Sequence, residues 1–158
     1  MNKICCGFGH RELLIDIKNE LEETVEELIV YHGINHFMTG GMGDFDNLFA
    51  SAVRGAKGRH PEIRLLLVKP YFTADLNTNK FYFEKMYDTV LVPDELSTAH
   101  YKTAIPQRNR WMIDHSDLVI TCVYRNFGGA YTAMQYAEKQ QKLYRNLARE
   151  SFATTFLV

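Results

Sequence analysis

A chain of 158 residues with 46% apolar content is long enough for one domain with a sizeable core and too apolar to stay disordered. Its net charge of -1 excludes a protein that coats polyanions over its whole surface, so any nucleic-acid contact must rest on a local basic patch. No apolar run reaches the length of a membrane span, and Met1-Asn2-Lys3 leads into a strand with no signal-peptide core, so a cytosolic protein with no membrane partner is expected.

Ile4 to Cys6 reads as a short buried strand, followed by the turn Cys6-Gly7-Phe8-Gly9-His10-Arg11. Glu12 to Tyr31 predicts a long amphipathic helix, with Leu13, Leu14, Ile17, Leu21, Val25, Leu28 and Ile29 on one stripe. The glutamates between them form its solvated face, and Gly33 ends it. His36 to Met38 is the second strand, and the turn Thr39-Gly40-Gly41-Met42-Gly43-Asp44 follows. Asp44 is placed to cap a helix through Leu48, Ala52 and Val53, which Gly55 and Gly58 break before Pro61.

The apolar run Ile63 to Val68 suits a central parallel strand. Pro70 to Asn79 reads as a loop, Lys80 to Tyr87 as a short aromatic helix or turn, and Thr89 to Val92 as a strand stopped by Pro93. A helix is expected from near Thr103 or Pro106 to about Asp114, then a strand over Leu118 to Val123. The third glycine turn, Arg125-Asn126-Phe127-Gly128-Gly129-Ala130, leads into a helix from about Ala130 to Gln140. Leu143 to Leu147 closes the pattern as a last strand. Residues 1–147 thus form a single domain, and the tail 148–158 carries apolar Phe152, Phe156, Leu157 and Val158 that dock on the body or on a partner.

Alternating strands and helices predict an α/β fold, a three-layer Rossmann-like α/β/α sandwich with a mainly parallel sheet. In such sheets ligands bind beyond the carboxyl ends of the strands, where strand order reverses. All three glycine turns fall at strand carboxyl ends and read as helix openings, so they are expected to converge on one anion-binding crevice.

The first turn does not complete the dinucleotide fingerprint, because Glu12 stands where the third glycine would be. No Gly-Lys-Ser/Thr of a P-loop occurs either. Candidate ligand-binding residues are Gly7, Gly9, His10 and Arg11 in the first turn, and Thr39, Gly40, Gly41, Gly43, Asp44 and Asp46 in the second. The basic segment contributes Arg108, Asn109 and Arg110, and the third turn contributes Asn126, Gly128, Gly129 and Thr132. Arg11 suits bidentate contact with an anion. Arg108 and Arg110 are two apart on a helix and point in different directions, so one faces the site and the other makes a structural pair. The histidines lack metal-ligand spacing, and the three cysteines sit in strand-like runs as free thiols, so no metal is expected.

Gly9-His10-Arg11, Thr39 to Asp44, Arg108 to Asp117 and the Gly128-Gly129 turn occur in an order that resembles the SLOG superfamily, and within it the YpsA-like group. The resemblance covers about Lys3 to Leu147. It implies a Rossmann-like fold that binds a nucleotide or nucleotide-derived ligand, and binding or sensing of such a ligand is the expected function. Two related groups imply alternatives. In the cytokinin-activating phosphoribohydrolases, Arg108 and Met112 fit the pattern, but Asn109 replaces a lysine and Gln135 stands at the glutamate position. A carboxamide cannot act as acid or base there. In the DNA-processing protein of natural transformation, Pro106, Arg108, Asn109 and Arg110 match a shared string, which implies single-stranded nucleic-acid binding. Relatives of this fold often dimerise, so a homo-oligomer is a further expectation, and Phe81-Tyr82-Phe83 or Trp111 supplies either its seam or part of the core.

Overall fold

The computed structural model describes residues 1–148. Six strands form one sheet: β1 (Ile4–Gly9), β2 (His36–Thr39), β3 (Arg64–Val68), β4 (Thr89–Leu91), β5 (Leu118–Cys122) and β6 (Leu143–Asn146). Their order is β4-β3-β2-β1-β5-β6. Every neighbouring pair is parallel, so the sheet is wholly rather than mainly parallel. The helices are α1 (Lys18–His32), α2 (Asp44–Lys57), α3 (Asp75–Thr78), α4 (Lys80–Met86), α5 (Tyr101–Asp114) and α6 (Gly129–Lys139).

Successive strand residues feed opposite faces, which Cys5 and Cys6 show directly. Cys5 joins Phe37, Leu65 and Ile120 in a core closed by α1 and α2. Cys6 joins Met38 and Val119 in a core closed by Met112, Ile113, Ala133 and Ala137 from α5 and α6. All three cysteines are free and buried, and burial pushes the Cys6 and Cys122 thiols up to about 12. They remain protonated packing residues.

Several expectations need correction. The first long helix begins at Lys18, not Glu12. The backbone of residues 11–14 is held instead by tertiary partners: Leu13 N–H donates to Asp44 Oδ2 at 2.9 Å, and Leu14 N–H donates to Tyr124 Oη at 3.0 Å. Leu14 is accordingly exposed and drops out of the apolar stripe. The second helix runs through Gly55 to Lys57, because Val53 and Ala56, buried on either side of Gly55, hold its last turn on the core. Asp44 is its first residue rather than its cap; Gly43 takes the cap position at φ +97. The α5 helix starts at Tyr101, two residues earlier than the first expected start, because His100 Nδ1 accepts the Lys102 N–H at 3.2 Å. Within the expected Pro70–Asn79 loop, Asp75–Thr78 forms one helical turn. Among the tail residues only Ala148 is described, half-buried against the α1/α2 core; the docking expected of residues 149–158 lies outside the described residues. No described helix is long and apolar enough to cross a membrane.

Candidate functional site

Strands β2 to β4 lie to one side of β1, and β5 and β6 lie to the other. Adjacent strands diverge in connection at β1/β5, which opens a crevice beyond their carboxyl ends. A cavity of about 390 Å³ occupies it. Of the sequence candidates, Gly9, His10, Arg11, Asp46, Arg108, Asn109, Gly128 and Gly129 line this cavity together.

The three glycine turns do different work. In the first, Gly7 and Gly9 belong to β1, and no helix follows directly. A Cβ on Gly9 would lie 2.2 Å from Phe45 Cγ, so the bare backbone admits α2. In the second turn the first two amides of α2 are already taken. Asp44 N–H donates to Arg11 O at 2.7 Å, and Phe45 N–H to His10 O at 3.4 Å. A Cβ on Gly43 would meet the Arg11 Cα at 2.5 Å, so this glycine allows that close backbone approach. The third turn differs. Gly128 has φ +97 and Gly129 opens α6, and nothing lies within 4 Å of a Cβ at either position. Gly128, Gly129 and Ala130 line the crevice, so the start of α6, the positive end of the helix with its first-turn amides, forms part of the wall.

Arg108 is 3% exposed. Its Nη1 donates to Val68 O at 2.9 Å and Gly40 O at 3.3 Å, and its Nε donates to Asn109 Oδ1 at 2.9 Å. Among the described residues no carboxylate forms an ion pair with it, and burial lowers its pKa. Asp46, on α2, is also buried, and its Oδ2 accepts the Met42 N–H at 2.8 Å. Burial pushes its carboxyl up to about 6, against the partial opposition of that hydrogen bond and of Arg108 and Arg11. His10 is buried with Nε2 accepting the Tyr124 N–H at 3.2 Å. That contact requires an unprotonated Nε2, and burial with the nearby Arg125 charge lowers the pKa, so the ring is neutral at pH 7.

Arg125 is a wall residue absent from the sequence candidates. Its guanidinium lies over Tyr124 and Phe127, with Cζ 5.7 Å and 5.2 Å from the ring centroids. Its Nε is buried with no hydrogen-bond partner among the described residues. A readable signal existed: a lone arginine between the end of β5 and the glycines of α6. The cavity wall thus carries Arg11, Arg108 and Arg125 against Asp46 and Glu12, so three cations face two carboxylates. The arrangement suits an anion.

Other candidates lie elsewhere. Thr39 is buried, with Oγ1 accepting the Gly41 N–H at 3.2 Å. Gly40 and Gly41 line a neighbouring chamber. Asp44 is spent on Leu13, and Arg110 sits over the Tyr136 ring at 5.5 Å. Thr132 turns its hydroxyl back onto Gly128 O at 3.1 Å, and Asn126 faces a smaller cavity beside Tyr131. Gln135 donates to Tyr131 Oη at 2.9 Å and does not line the crevice.

No family model matches the chain. The chain is 25% identical over 143 residues to an uncharacterised SPbeta prophage-derived protein, YoqJ, of Bacillus subtilis strain 168, covering 80% of this chain and 82% of that one. Among solved structures, DNA processing protein A of Helicobacter pylori superposes with a TM-score of 0.63 at 18% identity, over 96% of this chain and 72% of that one. The Rossmann-like fold is shared with DNA processing protein A. The molybdenum cofactor carrier protein of Chlamydomonas reinhardtii follows at a TM-score of 0.50 and 16% identity, over 91% of this chain and 75% of that one.

Proposed function

We propose that this chain binds a nucleotide or nucleotide-derived ligand in the β1/β5 crevice, as a YpsA-like member of the SLOG superfamily. The observation that carries the reading is the third turn: the N-terminal end of α6 lines the crevice beside Arg125, whose buried Nε has no partner among the described residues. A phosphate supplies what that corner lacks, which is acceptor oxygens and negative charge. Arg108 lies deeper, with its fork held by two backbone carbonyls, and gives the crevice floor a fixed positive charge. Binding without turnover is favoured, since Gln135 is turned toward Tyr131.

Calorimetric titration with a panel of nucleoside mono- and diphosphates and ADP-ribose tests the reading. Saturable binding is expected, weakened about tenfold or more by Arg125→Ala, the loss typical of a charge-assisted hydrogen bond. Absence of heat and of thermal shift across the panel removes the proposal.

The likeness to the Helicobacter pylori protein, whose reported property is single-stranded DNA binding, supports a second reading in which Arg11 and Arg125 contact a nucleic-acid backbone. Fluorescence anisotropy with a labelled oligothymidine at low salt decides it. Binding that weakens steeply with added salt supports it, and no binding at low salt sinks it.

A further inference from the structure

The crevice shares part of its wall with a second cavity. Met42 and Ile105 line it on one side and on the other line a second chamber, of about 260 Å³, beyond the carboxyl ends of β2 and β3. Four aromatic residues stand around this chamber: Tyr71, Tyr82, Phe83 and Tyr87. Phe83 and Tyr87 stack with centroids 6.5 Å apart, and Tyr82 meets Phe83 edge-on at 5.3 Å. Tyr71 and Tyr82 are 44% and 54% exposed, so neither ring is consumed by the core. Gly41 sits on the chamber at φ +67, where a Cβ would lie 2.6 Å from Leu67 Cδ1 and 3.5 Å from Tyr87 Oη. The bare position keeps side-chain atoms out of the space before the tyrosines.

The two spaces share a joint. Arg108 lines the crevice, Gly40 lines the chamber, and Arg108 Nη1 donates to Gly40 O. Charge selects the occupant. A box of aromatic rings attracts either a cation or another planar ring. Here Lys69 Nζ already lies 5.8 Å over Phe83 and is paired with Asp75 Oδ2 at 3.8 Å, so the Phe83 face that a cationic ligand would use is taken. The exposed Tyr71 and Tyr82 rings are left for a planar ring.

We propose that this chamber is the ring subsite of the ligand. The anionic end lies at Arg125 and the start of α6, and a nucleobase reaches past Met42 to stack among Tyr71, Tyr82 and Tyr87. The proposal rests on the nucleotide reading of the crevice and adds the element that reads the base.

The test compares AMP, GMP, CMP and UMP with ribose 5-phosphate by calorimetry, on the native protein and on Tyr82→Ala and Tyr71→Ala. Both rings are exposed, and thermal melting confirms that the variants fold. At least one nucleotide is expected to bind about five-fold to a hundred-fold more tightly than ribose 5-phosphate, the range seen for stacking one base. Each variant is expected to shrink that ratio while leaving ribose 5-phosphate affinity unchanged. Equal affinity for nucleotides and ribose 5-phosphate overturns the ring subsite and leaves the anion crevice standing. A base preference that both variants retain also overturns it. Binding of neither class of ligand removes the crevice reading and the subsite with it.

Discussion

The Arg108 guanidinium occupies the place that a side chain at Gly40 would take: a Cβ there would lie 2.7 Å from Arg108 Cζ. The second turn is therefore glycine-rich partly to admit an arginine, not only to admit a ligand. Gly40→Ala is expected to push the guanidinium aside, since it is the far end of a flexible side chain. The cost is its hydrogen bonds to the Gly40 and Val68 carbonyls, about 1–3 kcal/mol for buried groups left unpaired. Chemical denaturation should show that loss, and nucleotide affinity should fall with it. An alanine variant of native stability and affinity contradicts this account of Arg108.

Gly9 presents the harder case. Its Cβ would lie 2.4 Å from Phe45 Cβ, an atom that moves only with the α2 backbone. Gly9→Ala is expected to destabilise by about 3 kcal/mol, at the upper end for overpacking. Gly129→Ala, where nothing lies within 4 Å and φ is not positive, should change stability by less than about 1 kcal/mol. Urea midpoints of the two variants check the contrast, and equal losses would refute it.

Asp46 predicts the pH response. Its folded-state carboxyl titrates at about 6 against an ordinary value of 3.8, so the folded protein holds a proton that the unfolded chain has released. Stability therefore falls as pH rises from about 3.8 to about 6 and is level above that window. The difference amounts to about 3 kcal/mol at pH 7.5, and Asp46→Asn should lack this slope. An anion in the crevice favours the protonated carboxyl, so binding should strengthen as pH falls through about 6, more in the native protein than in the variant. Any titration of the ligand's own phosphate is common to both proteins and cancels in the comparison. Parallel pH profiles for the two proteins would contradict the raised carboxyl.

The strand and helix alternation was legible because strands such as Leu118–Cys122 are short apolar runs between turn residues, and the wholly parallel sheet follows from helical crossovers. The early turn after β1 was not. Leu13 and Leu14 continue a helical period, yet their amides go to Asp44 and Tyr124, partners 31 and 110 residues away. The glycine turns were visible as a set, but not their division of labour. Glycine records only that a side chain is absent; whether the space admits Phe45, Arg108 or a ligand depends on tertiary neighbours. Arg125 was missed because its significance lies in an unpaired Nε and two flanking rings, neither of which sequence spacing displays.

Amide chemical-shift mapping during titration of isotope-labelled protein with AMP tests the central claim most directly. The account predicts saturable shifts at Gly128, Gly129 and Ala130 and at Gly9 to Arg11, with a second set at Gly41 and Met42. Shifts confined to other surfaces, or none at saturating AMP and at saturating concentrations of the other nucleotides, would contradict a nucleotide site at the β1/β5 crevice.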